Sequence, residues 1–130
     1  MAIFGIGCDI ERVERFKVSE AKKALAEKVF TESELKYSLD YRFPEQRLCA
    51  RFCAKEAFFK ALGTGVSGKM ALKDVEVVKE PSGKPAIVLH GATKEFFLSL
   101  GLGKINLSIS HTSETASRRP ASCSIRRLLT

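Results

Sequence analysis

Asp9 closes the apolar run AIFGIGCDI, and Glu56 lies within the segment RFCAKEAFFKALGTG, so two hard oxygen donors stand far apart in the chain. Two carboxylates completed by phosphate oxygens of a substrate are a common way to hold a magnesium ion, which keeps several of its waters. The spacing alone fits two solvent-exposed acids equally well. On a helical wheel of about 100° per residue, Leu48, Phe52, Phe59 and Leu62 form an apolar arc. Lys55 projects into the middle of that arc, and Glu56 lies at its border beside Lys60. A lysine on an inward face must be paired, contact an anionic ligand or snorkel. Glu56 and Lys60 also have the spacing of an ordinary i,i+4 surface pair.

The residues that follow suit a phosphate. Gly63-Thr64-Gly65 offers small residues and free N–H groups directly after a lysine-bearing helical pattern, although the P-loop string GxxxxGK[ST] is absent. The dipole at a helix C-terminus disfavours an anion, so Lys60 must supply much of the attraction. His111, one of two histidines, ends the alternating segment INLSISH between Ser110 and Thr112. That setting suits phosphate contact or proton handling, with a purely structural role as the alternative. His90 lacks such hydroxyl neighbours and reads as structural.

The elements that position these residues follow from periodicity and punctuation. Residues 2–10 read as a strand whose two glycines allow close backbone approach, with Asp9 where that strand emerges into a cleft. Residues 12–29 read as a helix with Val13, Phe16, Leu25 and Val29 inward and Arg12, Arg15, Lys17, Lys22, Lys23 and Lys28 on its other faces. FTESEL carries a capping box between Thr31 and Glu34, which starts a short helix. Pro44 fits the first turn of the next helix, and Gly63 fits its left-handed cap. ALKDVEVVKE and AIVLH read as strands joined by PSGKP, ATKEFFLSLG as a helix stopped by Gly101, and INLSISH as a strand with Ile105, Leu107 and Ile109 on one face. The fold class is α+β, with a small, largely antiparallel sheet packed with helices in one domain spanning 1–130.

Composition narrows the class without naming a partner. Hydrophobic residues make up 45% and charged residues 28%, as in a soluble globular protein. No stretch reaches the roughly 18 apolar residues a transmembrane helix needs. The N-terminus stops being apolar at Asp9, too soon for a signal peptide. A cytoplasmic, membrane-free protein is expected. Cys8, Cys49, Cys53 and Cys123 show no disulfide or zinc spacing and read as small buried residues in a reducing compartment. The net charge of +7, from 22 Lys and Arg against 15 Asp and Glu, favours an acidic partner: a nucleic acid, a phosphorylated cofactor or an acidic protein. A nucleic-acid module would carry interleaved exposed aromatics or a recognisable binding motif, and neither is present.

Taken in order, GIGCDIE at 5–11, FTESEL at 30–35, RFCAKEAFFKALGTG at 51–65, SGKP at 82–85 and SISHT at 108–112 resemble the holo-[acyl-carrier-protein] synthase family, the short bacterial 4′-phosphopantetheinyl transferases. The resemblance implies transfer of 4′-phosphopantetheine from coenzyme A to a serine of apo acyl carrier protein, with release of adenosine 3′,5′-bisphosphate, in support of fatty acid biosynthesis. It makes Asp9 and Glu56 the Mg²⁺ ligands. It gives Glu56, Lys60 and His111 catalytic roles. Arg51, Lys55, Lys60, Gly63, Thr64, Gly65, Lys84, Pro85, His111 and Thr112 would contact the cofactor, and Arg15, Lys22 and Lys23 would dock the acidic carrier protein. It also implies a homotrimer with sites between subunits and no nucleic acid. One region departs: Arg118, Arg119 and Pro120 interrupt the small-residue strand the family carries after SHT. The tail 117–130 is therefore expected to diverge: either it is loosely ordered, or the strand resumes only at Ser122–Leu128. A relative that has lost catalysis but still binds a carrier protein, or a nucleic-acid module, is the competing reading.

Overall fold

The computed structural model describes residues 2–17, 19–110 and 117–128. Strand β1 (Ile3–Arg12) is followed by two short 3-10 turns and three helices, α1 (Lys23–Val29), α2 (Glu32–Leu39) and α3 (Pro44–Leu62). Then come β2 (Val75–Lys79), β3 (Pro85–Leu89), α4 (Gly91–Ser99), β4 (Leu102–Ile109) and β5 (Arg118–Arg127). The strands form a three-stranded antiparallel sheet of order β1-β5-β4 and a separate β2–β3 hairpin. This is the expected α+β architecture, with the sheet divided in two.

Helix α3 organises the core. Pro44 occupies its first turn, where a missing N–H costs nothing, and Gly63 ends it at φ 86° in the left-handed region. It is buried nearly all round. Cys49, Cys53, Ala57 and Ala61 are among its buried small residues, and Phe58, Phe59 and Leu62 join Val75, Val77, Phe97, Leu102 and Ile125 in one apolar cluster. The wheel drawn from sequence shows only one arc, because alanine and cysteine carry too little hydrophobic signal to mark a second contact face.

β1 turns Gly5, Gly7, Asp9 and Glu11 toward α3, as strand alternation requires. A Cβ on Gly5 would lie 1.9 Å from Ala61 O, and one on Gly7 would lie 2.2 Å from Ala57 O. Only glycine lets these two backbones meet.

Four expectations change. The helix expected over 12–29 is confined to Lys23–Val29, because β1 continues to Arg12 to pair with Arg118. Val13 is buried, but Leu25 is 63% exposed. Cys8 is exposed on the outer face of β1, although all four cysteines are free as expected. The largest change concerns the tail: β5 is the central strand of the sheet, running unbroken through Pro120. The carbonyl of Pro120 accepts from Ser110 N at 3.3 Å, so its missing N–H points to the same side, just past the end of β4. The ladder loses one terminal bond there, and Arg119, Ala121, Cys123 and Ile125 alternate inward.

Lys55 is held in the core. Its ammonium donates to Glu34 Oε1 at 2.8 Å, Val75 O at 2.6 Å and Leu72 O at 3.2 Å, and it is fully buried. Glu34 also accepts from Val77 N and from Thr31 N, the latter as the second half of the capping box. The pair thus ties α2, α3 and β2 together. Breaking a buried pair strands a charge, at a typical cost of about 3–5 kcal/mol. Lys55→Met is expected to lose stability of that size in urea denaturation, and Lys55→Met/Glu34→Gln to regain part of it. A single variant as stable as the parent chain would refute this role.

Candidate functional site

The helix–strand contact brings the predicted chemical groups together. Directly beside the Gly7 contact, Asp9 points at α3 with its side chain 10% exposed, and Lys60 Nζ reaches Asp9 Oδ1 at 2.9 Å and Cys8 O at 3.1 Å. Glu56, one helical turn before Lys60, is half-buried. Burial and then the charge of Asp9 raise its pKa, with Lys60 opposing. Glu11 follows Asp9 on the same strand face. Its pKa is also raised, by burial first and then by the Asp9 carboxylate, which accepts a hydrogen bond from its protonated form and repels its charged form, against the ion-paired Arg15. A hydrogen bond to Asp9 raises the pKa of Lys60.

Three carboxylates therefore repel one another beside a single lysine. Asp9 Oδ2 is buried with no hydrogen-bond partner. A buried orphan carboxylate oxygen costs free energy unless something completes it. With Glu56 adjacent, the donor set is hard and anionic, which fits a divalent cation that also takes substrate oxygens and water. Protein groups alone do not close such a site: no cluster of three or more His, Cys, Asp or Glu positioned for a metal is present among the described residues.

An open cleft of about 380 Å³ leads to Asp9 and Lys60 across Cys8, Ser108, Ser110 and Ser122. The Gly63–Gly65 loop is exposed just beyond Lys60; Gly65 has φ 64° and Thr64 Oγ1 donates to Gly65 O. A second cleft of about 200 Å³ is lined by Tyr37, Arg47, Arg51, Lys79 and Pro85. Arg51 stacks 4.2 Å over the Tyr37 ring, and its buried Nε has no hydrogen-bond partner. Arg51 and Lys60 are nine positions apart on α3, about 13 Å along the axis. One chain thus separates the predicted cofactor groups into two clefts.

Not every predicted residue reaches a cleft. Lys55 does not, because Glu34 and two carbonyls consume its donors; this corrects its expected contact with the cofactor. Lys84 is exposed in the turn between β2 and β3, while Pro85 lines the second cleft. His111 and Thr112 lie outside the described residues. Arg15 and Lys22 edge an apolar pocket of about 190 Å³ formed with Phe16, Leu25, Val29 and Phe52, and Lys23 is exposed on α1. A third cleft, of about 320 Å³, gathers Arg12, Arg15 and Arg118 beside Glu11. Sequence reasoning missed Arg12 and Arg118 as partners because they meet only through the β1–β5 register. It missed Glu11 as a member of the acid cluster, although the i,i+2 spacing in DIE was a usable signal. Arg47 and Lys79 gave no sequence signal.

The chain belongs to the 4′-phosphopantetheinyl transferase superfamily, whose family model matches residues 5–119. Within it, the chain is 43% identical over 116 residues to the holo-[acyl-carrier-protein] synthase of Geotalea daltonii, covering 88% of this chain and 93% of that protein. Among solved structures, it is similar to holo-[acyl-carrier-protein] synthase from Neisseria meningitidis, with a TM-score of 0.85, 29% identity, and 97% and 100% of the two chains covered. The Helicobacter pylori synthase in complex with coenzyme A has a TM-score of 0.78 and 27% identity, covering 93% of this chain and 99% of that one.

Proposed function

We infer that this chain is a holo-[acyl-carrier-protein] synthase that transfers 4′-phosphopantetheine from coenzyme A to a serine of apo acyl carrier protein. The observation that carries the reading is the contact of Asp9 with Lys60 beside Glu56, built from two of the family's motifs. In the reaction the serine oxygen bonds to the phosphorus carrying pantetheine, and the pyrophosphate bond to adenosine 3′,5′-bisphosphate breaks. Asp9 and Glu56 would hold Mg²⁺, which when bound would neutralise negative charge developing on the phosphates. Lys60, with the N–H groups of the Gly63–Gly65 loop, binds phosphate. Glu56 and His111 are the candidate acceptors of the serine proton. A place in fatty acid biosynthesis in the cytoplasm accords with this chemistry, and no described helix is long and apolar enough to cross a membrane.

The acceptor is expected to gain the mass of phosphopantetheine when chain, coenzyme A and apo carrier protein are mixed. A chelator should abolish the gain and Mg²⁺ restore it. Asp9→Ala and Glu56→Ala should each slow transfer by about 100-fold or more. Mass spectrometry that found full transfer by either variant would remove the metal assignment. RNA binding that persists at moderate salt and resists coenzyme A would instead favour the nucleic-acid module.

A homotrimer with shared sites is supported by two features. Ile6 and Ile10 are 67% and 57% exposed on the outer sheet face. Arg51 and Pro85 also lie in a different cleft from Lys60, so a neighbouring chain could complete either one. Light scattering coupled to size exclusion is expected to give the mass of three chains, and Ile6→Asp/Ile10→Asp that of one. A monomeric parent chain would refute the assembly.

Arg15, with Lys22 and Lys23 alongside, is the docking face this reading assigns to the carrier protein. Arg12 and Arg118 are register partners, so like charges stand directly opposite in the sheet, and the exposed Glu14, 3.8 Å from Arg12, offsets part of that charge. An acidic carrier adds further anionic charge at the cleft they share with Arg15. Arg15→Ala should raise the KM for carrier protein about fivefold, leave that for coenzyme A unchanged, and flatten the salt dependence. Equal changes in both KM values would count against docking at this face.

A further inference from the structure

Asp9 is engaged unequally. Oδ1 accepts from Lys60, while buried Oδ2 has no partner. The ammonium is also fastened to Cys8 O, so it bridges the carboxylate and the strand that carries it. Around it lie Glu56 on the same helix, Glu11 on the same strand face and Arg15 paired to Glu11. Lys60 thus places its ammonium directly on Asp9 Oδ1, while the buried Arg119 stands opposite Glu11 in the sheet. Its side chain is 53% exposed, so its flexible stem can carry the head away without disturbing the core. A divalent ion at Asp9 and Glu56 would sit within a few ångströms of that head, and two cations so close repel strongly.

We propose that Lys60 is a resident counter-cation that holds Asp9 in the free chain and competes with the divalent ion for it. It lets go when the pyrophosphate of coenzyme A offers a second anion. The chain therefore takes up its divalent ion together with coenzyme A rather than before it. This rests on the metal reading above. The coupling is reciprocal, since a ligand that draws Lys60 off Asp9 must strengthen metal binding by the same factor that the metal strengthens its own.

Mn²⁺ binding, followed by electron paramagnetic resonance and calorimetry, tests it without catalysis. The parent chain should bind Mn²⁺ weakly alone and at least about tenfold more tightly with coenzyme A present. Lys60→Met and Lys60→Gln, both at a half-exposed position, should bind Mn²⁺ alone about tenfold more tightly than the parent. Lys60→Arg, which keeps the charge, should resemble the parent. Unchanged or weaker Mn²⁺ binding by folded Lys60→Met and Lys60→Gln overturns the proposal. Asp9→Asn separates the two levels: if it binds Mn²⁺ as the parent does, the metal reading itself fails.

Discussion

Strand β1 and helix α3 meet backbone against backbone at Gly5 and Gly7, where any Cβ would collide with carbonyl oxygens of α3. The rest of the site follows from that approach. With the strand this close, Asp9 reaches Lys60 directly and shares the field of Glu56. A longer helix–strand distance would leave two solvated acids and a surface lysine, the bland reading that spacing alone permits. The small residues on the facing side of α3, Ala57 and Ala61, complete the contact from the helix side. Packing and chemistry are therefore one constraint here.

Within a single turn of α3, adjacent residues take opposite fates. Lys55 turns into the core and is consumed by Glu34, Val75 O and Leu72 O, while Glu56 turns toward Asp9. One step along the helix rotates a side chain by about 100°, enough to move it from core to cleft. The two charges of the KE pair serve different ends: the lysine locks α2 and β2 onto the helix, and the glutamate faces Asp9. The clasp uses the same Glu34 that closes the capping box of α2, so one side chain ends a helix and neutralises a buried cation.

The tail shows how strand position changes the meaning of a residue. Pro120 in a central strand would ordinarily break the ladder, yet its missing donor falls where β4 has just ended. Arg119 and Arg118 take opposite sides of β5, the first inward and the second into the arginine cleft. The same strand thereby supports the sheet and charges the proposed docking face.

Much was legible before folding: the capping box, Pro44 and Gly63 bounding α3, the α+β order, the two glycines of β1, and Asp9 with Glu56 as the pair to watch. These are local signals, carried by turn chemistry, periodicity or a motif string. Tertiary structure alone decided which charges meet. That Lys55 finds Glu34, that Arg12 faces Arg118, that Arg51 and Lys60 open into separate clefts, and that β5 lies at the centre of its sheet all depend on contacts between residues distant in the chain. Charge and hydrophobic pattern specify that such residues need partners or burial, but only the packed backbone sets the distances that choose the partner.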